Sequence, residues 1–354
     1  KDSQLQVGKR ITPANQTIEY VYSPGLPDQP TAINNPERDQ ASYGYDFETA
    51  HLGFSENSQG RHEFDYDSAA HLKAHRWTLD GHTWRASYQH SLDGRPLSRT
   101  DVSDVSCHYT YGEFSGQLKA VHQGNLQAEF DYDTSGRLCL TRSQDSVAKT
   151  TLTTELEYDD QGREILRTVS FSGHPTHTIR QTWLPDDRLL TRHWQSAGRT
   201  LLEEEFSYDP RGRLELYFCS GEQPPTDRYG NQITQELYVL DALDNISLRR
   251  SRFKDGTQDT TEFSYADDDP CQLQRLTHTH ASMPSEVSFR YDLNGNMLND
   301  ELGQRLRYDS QGRLLDVSDR QARTVTAYRY DSHNHLIGVK PSSEAETLRF
   351  YEDD

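Results

Sequence analysis

Histidine is the residue type here whose spacing first suggests chemistry. His278-Thr279-His280 and His333-Asn334-His335 each set two imidazoles two residues apart. On a strand that spacing puts both rings on one face, as a pair of metal ligands needs. Third ligands are available only by proximity in sequence, such as Asp267, Asp268 and Asp269, so both pairs read as solvated histidines and no metal or cofactor is expected. Asp186-Asp187 and Asp267-Asp268-Asp269 lack the spaced loop of a calcium site and read as solvated turns. Cys107, Cys139, Cys219 and Cys271 form no CxxC and fit no zinc spacing, so they read as free thiols, buried or half-exposed. Ser115 sits in Phe114-Ser115-Gly116, a turn rather than a Gly-x-Ser-x-Gly elbow. The 56 acidic residues include no pair singled out for glycoside chemistry, and no catalytic residue is assigned.

The elements that carry these residues are set by a repeat. Phe130-Asp131-Tyr132-Asp133-Thr134-Ser135-Gly136-Arg137-Leu138 returns around Tyr158-Asp159 with Gly162-Arg163, around Tyr208-Asp209 with Gly212-Arg213, and around Tyr308-Asp309 with Gly312-Arg313. Tyr66-Asp67, Tyr291-Asp292 and Tyr330-Asp331 open further copies. Degenerate copies lack the Asp, as at Tyr88, Tyr111, Trp183, Tyr238 and Tyr265. Steps between anchoring aromatics run from 17 residues (Tyr291 to Tyr308) to 30 (Tyr208 to Tyr238), a period of tandem units.

Each unit reads as a β-hairpin. Aromatic pairs two residues apart, such as Phe64 with Tyr66, Phe206 with Tyr208, Phe289 with Tyr291 and Tyr328 with Tyr330, share a strand face. The Asp accepts from turn N–H groups and the Gly supplies a positive φ. The repeated Arg is expected to pair with turn aspartates of adjacent repeats. Fifteen anchors imply roughly 28 strands, about 130 Å of strip at ~4.8 Å per strand. That is about one turn of a spiral, too little to seal a cavity alone.

Hydrophobic residues make up only 32% of the 354, so strands are expected to bury one face thinly in a single-layer antiparallel sheet. A net charge of −19 argues against nucleic-acid and anionic membrane surfaces. No apolar run approaches the roughly 18 residues of a membrane helix, and the first residues carry no signal-peptide pattern. The chain opens on Lys1 and stops on Asp354 just after Tyr351 begins a fresh unit, as a segment of a longer polypeptide would.

The Tyr-Asp-x-x-Gly-Arg-Leu unit resembles the YD repeat of RHS proteins, shared by the B and C components of bacterial Tc toxins and, more distantly, by teneurins. The resemblance runs from Tyr20 to Tyr351. It implies an all-β fold: tandem hairpins in a long, twisted antiparallel sheet that spirals as part of a hollow shell, residues 1–354 forming one shell region. It further implies a non-enzymatic wall segment of an exported bacterial protein, enclosing a C-terminal toxin until delivery. Partners would be the rest of the same protein with its cargo, a second shell component or delivery machinery. The alternative is a glycan- or protein-binding module, with Trp77, Trp84, Trp183 and Trp194 as exposed platforms. Asp209-Pro210-Arg211-Gly212 looks like the family's self-cleavage motif but stands in register as an ordinary turn.

Overall fold

A computed structural model describes residues 6–37 and 39–351, and the sequence ends discussed above fall partly outside that range. The described residues form 29 strands and no helix, so none of them crosses a membrane as a helix. The first 24 strands, from Lys9–Ile11 to Glu286–Ser288, make one antiparallel sheet whose pairings join strands consecutive in sequence. The ladder does not close on itself. A separate five-stranded antiparallel sheet follows, from Arg305–Tyr308 to Thr347–Leu348.

The hairpins follow from the repeat. In the Leu126–Tyr132 and Leu138–Asp145 pair, Phe130 lies opposite Thr141 and the register slips between Asp131 and Tyr132. The same bulge precedes Tyr66, Tyr158, Tyr208, Tyr308 and Tyr330. A bulge twists the strand and ends the ladder on one side, which turns the aromatic residue out of pairing with the next hairpin.

The strand expected for Phe289 and Tyr291 is absent; Tyr291 makes only an isolated bridge to Met297. The cause is an extra turn. Asp292–Asn296 closes one turn and Asp300–Gln304 a second, each with the Asp N–H bonded to the carbonyl four residues on. Only three residues remain between them, too few for a ladder. The regular ladder therefore narrows here to two isolated bridges, Tyr291 with Met297 and Asn299 with Arg305, before a second regular sheet begins at Arg305.

The chain divides into two compact units, one boundary near this interruption and the other within the first sheet. Residues 107–288 form one; residues 1–106 and 289–354 form the other. In the first, Tyr217, Cys219, Ile233, Phe253 and Met283 make a small core. In the second, thin one-sided burial gives way to two layers. The five-stranded sheet packs on the strands around Trp77, which is 2% exposed beside Leu79, Ala86 and Ile337, with Phe350 edge-on to its ring. Tyr43 Oη donates to the Ser332 carbonyl at 2.5 Å and Asn57 Nδ2 to that of Tyr330 at 3.0 Å across the same layers.

Candidate functional site

The repeat turn is built by its aspartate. Asp133 N–H donates to Arg137 O at 2.8 Å, and Gly136 N–H returns to Asp133 O at 2.9 Å. Asp133 Oδ1 accepts from Ser135 and Arg137 N–H, both at 2.9 Å. Arg137 Nε then donates to Oδ2 at 2.7 Å. Asp159, Asp209 and Asp309 repeat this with Arg163, Arg213 and Arg313, Nε to Oδ2 at 2.7, 2.7 and 2.6 Å. The arginine thus pairs first within its own turn, its fixed fork matching the carboxylate four residues back. In two copies it also pairs with the next repeat's turn aspartate as expected, Arg163 with Asp187 at 3.0 Å and Arg213 with Asp244 at 2.6 Å. The Arg137 N–H, with the guanidinium behind it, holds the Asp133 carboxyl below its usual range against the opposing effect of desolvation, and Arg213 N–H does so for Asp209. Gly136, Gly162, Gly212 and Gly312 have φ between 79° and 86°, the left-handed region only glycine enters freely. Degenerate turns keep that backbone with Ala70, Asp187, Asp244, Ala322 and Asn334.

Successive turns are stitched by two contacts. The bulge leaves the first residue after the arginine outside the following ladder, which begins at Leu140 opposite Glu155. Its carbonyl needs a donor. Tyr158 Oη supplies it, donating to Leu138 O at 2.7 Å. Tyr66 does the same for Leu52 (3.1 Å), Tyr132 for Leu118 (2.9 Å), Tyr208 for Leu189 (2.8 Å) and Tyr330 for Leu314 (2.9 Å). Where Trp183 replaces tyrosine, its indole N–H donates to Glu164 O at 2.8 Å. The arginine makes the second contact: Arg163 Nη1 reaches Leu184 O at 2.8 Å and Arg213 Nη1 reaches Asp241 O at 2.8 Å, each in the next turn.

Histidines occupy the arginine position in two turns. Asp331 Oδ1 accepts His333 and His335 N–H at 2.9 and 2.8 Å, as in any copy. At Oδ2, where Arg Nε sits elsewhere, His335 Nδ1 is 3.3 Å away without hydrogen-bond geometry. His62, from the Gly60–Tyr66 strand, brings Nε2 to 3.6 Å from the same oxygen. Its Nδ1 meets His75 Nε2 at 3.1 Å. Burial, then the neighbouring imidazoles, pushes His62 and His75 down to about 3, so both are neutral. Burial raises the Asp331 carboxyl against the two turn N–H groups. One ligand atom each from His62, Asp331 and His333 lies within 4.8 Å of the others. Asp67, His71 and His90 form a second such group at a more exposed turn, where His71 replaces the arginine.

Neither histidine pair lies on a strand. His333 and His335 flank a turn, and His278 and His280 follow the Leu273–Thr277 strand. The solvated reading fails for His278, whose ring is 4% exposed and bonded to Asp259 and Thr261. Asp267, Asp268 and Asp269 stay exposed, as does Ser115, which accepts Gln117 N–H. All four tryptophans lie in strands rather than loops: Trp77 is buried, Trp84 packs against Phe350, and Trp194 donates to His177 Nδ1 at 3.2 Å. The four cysteines are free; Cys219 is buried and Cys271 exposed. Sequence reasoning passed over a buried acidic pair. Glu204 accepts from Tyr217 Oη at 2.9 Å and Arg192, and Glu236 from Tyr238 and Ser251. Both carboxylates are fully engaged, and burial raises the Tyr217 and Tyr238 hydroxyls.

The RHS Repeat family profile matches residues 308–341. No curated protein matches the chain. Among solved structures the chain is similar to the TcdB2-TccC3-Cdc42 crystal structure, at 10% identity over 92% of this chain and 26% of that one, TM-score 0.34. It is similar to the Tc holotoxin pore of Photorhabdus luminescens at 11% identity, 92% and 26% coverage, TM-score 0.34. A porin-like protein from Bacteroides uniformis aligns at 11% identity over 63% of this chain and 90% of that one, TM-score 0.25. The chain spans about a quarter of the length of the two Tc structures.

Proposed function

Taking the chain for what its repeats make it, an RHS-repeat protein, we propose that it is a non-catalytic wall segment that encloses another part of its own polypeptide, a toxin held until delivery from an exported bacterial protein. One observation carries the reading. The Tyr-to-carbonyl stitch recurs between successive turns in both units, so strength is directed along the strip from one repeat to the next. On this reading residues 1–354 are one stretch of wall, and the Tyr, Asp, Gly and Arg anchors are its working residues. Each hydroxyl bond contributes about 1 kcal/mol, small alone and cumulative in series.

An inner surface that holds an unfolded chain needs scattered apolar contacts without a specific pocket. In the 107–288 unit Leu126, Leu152 and Phe171 are 40–48% exposed beside one another around a shallow groove, a surface of that kind. The partners implied are the enclosed segment, the remaining shell and a delivery component. The adhesion alternative draws no support from the tryptophans, since none stands in a loop.

Limited proteolysis of the polypeptide that carries these repeats, with fragments identified by mass spectrometry, tests the reading. A non-repeat segment that survives while the repeats are folded, and is cut once urea unfolds them, is the expected result. A non-repeat segment cut equally fast in both conditions overturns it.

A further inference from the structure

We propose that His62, Asp331 and His333 bind a divalent zinc-type cation that pins the five-stranded sheet to the Gly60–Tyr66 strand. The argument starts from the repeat. In five turns the aspartate Oδ2 is held by an arginine Nε at 2.6–2.7 Å. At Asp331 that arginine is His335, which makes no hydrogen bond to Oδ2. The carboxylate is 1% exposed, so solvent does not replace the missing donor.

The atoms facing this oxygen are also unpartnered. His62 Nε2 and His333 Nδ1 are buried and lack any hydrogen bond, as does Asp331 Oδ2 itself. His62 is 3% exposed. Buried polar groups in such number call for an ion or water between them. The 3.6 Å between His62 Nε2 and Asp331 Oδ2 is close to the edge, about 3.4 Å, of a tetrahedron with metal–ligand bonds of about 2.0–2.1 Å.

The surroundings fit a ligand histidine. With its proton on Nδ1, His62 donates to His75 Nε2 and turns the Nε2 lone pair toward Asp331. A ring N–H held by an outer acceptor is the usual support of a metal-bound imidazole. Asp331 is fixed through Oδ1 by two backbone N–H groups, leaving Oδ2 as a single ligand atom. Tyr43 Oη holds the Ser332 carbonyl and so the turn that carries His333. Two imidazoles and one carboxylate select zinc over calcium or magnesium, which take oxygen donors. Water completes the fourth position. The site joins residues 269 positions apart, from the two layers of one unit, and acts as a cross-link. The inference is independent of the wall reading.

The test is titration of the chelator-treated chain with Zn2+ by calorimetry and with Co2+ by visible absorption. The expected result is one saturable site with the intense d–d bands of tetrahedral Co2+, and a higher Tm with Zn2+. His333→Gln, whose ring is half-buried and whose backbone bond remains, should keep the metal-free strand spectrum while weakening binding at least tenfold and abolishing the Tm shift. His62→Gln should do the same. His71→Gln with His90→Gln, at the exposed group, should leave the site intact. Absence of binding overturns the proposal, as does binding that survives His333→Gln in a folded protein or disappears with the His71→Gln/His90→Gln pair.

Discussion

The Arg137 guanidinium carbon lies 4.7 Å from the centre of the Tyr158 ring, so the arginine that closes one turn covers the tyrosine that opens the next. Arg188 covers Tyr208 at 4.7 Å and Arg313 covers Tyr330 at 5.2 Å. The same arginine therefore closes its own turn through Nε and presses on the neighbour through its face. Lysine has neither the planar fork nor the stacking face, which gives the repeat a physical reason for arginine.

Tyr158→Phe keeps the stacked ring and removes only the hydroxyl bond to Leu138 O. The expected cost is about 1 kcal/mol in urea unfolding. Arg137→Lys should cost a similar amount, because the stacking and the paired donors are lost together. Midpoints equal to wild type for both variants would show that the stitch contributes nothing to the strip.

Much of this was legible in the sequence, because each hairpin is encoded locally. Asp133 through Leu138 contains every atom of its own turn. Degenerate copies were legible for the same reason: Trp183 still offers a donor, and Asp187 still takes the left-handed backbone. The sheet break was visible only as the short step from Tyr291 to Tyr308, and its cause, the Asp300–Gln304 turn, carries no tyrosine to mark it. The packing of the last sheet on Trp77 was not legible. It rests on contacts such as Tyr43 with Ser332, 289 positions apart, which no local pattern carries. The histidine cluster could have been glimpsed by aligning the turns, since His71 and His335 stand where other copies have arginine.

Left-handed alanines are a correctable strain. Ala322 has φ 62° at the glycine position of the Asp319–Arg323 turn, where a side chain costs about 1–2 kcal/mol. Ala322→Gly should stabilise the 1–106/289–354 unit by about 1 kcal/mol after the greater freedom of unfolded glycine is counted. A thermal melt that moves down rather than up would show that the turn is not strained there.

Acid should weaken the turns in a defined window. The folded Asp209 carboxyl titrates below the ordinary aspartate value of about 3.9, held chiefly by the Arg213 N–H. Its contribution is complete above that value, where folded and unfolded carboxyls are both ionised. It is lost as pH falls through the lower folded pKa, because the unfolded chain takes up the proton first. The difference in urea midpoint between wild type and Asp209→Asn should therefore be constant from pH 7 to about 5 and shrink below about 4. A difference that stays constant down to pH 2.5 would remove the carboxylate's charge from the account of the turn.

Trp77 decides whether the five-stranded sheet is held by packing. Its ring is 2% exposed, and Ile337 from the Leu336–Pro341 strand is 1% exposed in the same cluster. Truncating a buried tryptophan costs about 3–5 kcal/mol, and isoleucine to alanine about 2–5. Trp77→Ala and Ile337→Ala should each loosen both layers at that point. Hydrogen exchange read by mass spectrometry gives the spatial answer. Protection should fall together in Leu72–Leu79 and Leu336–Pro341, while Thr150–Tyr158, in the other unit, keeps its rate. If Leu336–Pro341 stays protected after Trp77→Ala, then the polar bonds across the layers, Tyr43 to Ser332 and Asn57 to Tyr330, hold the sheet in place without the aromatic core.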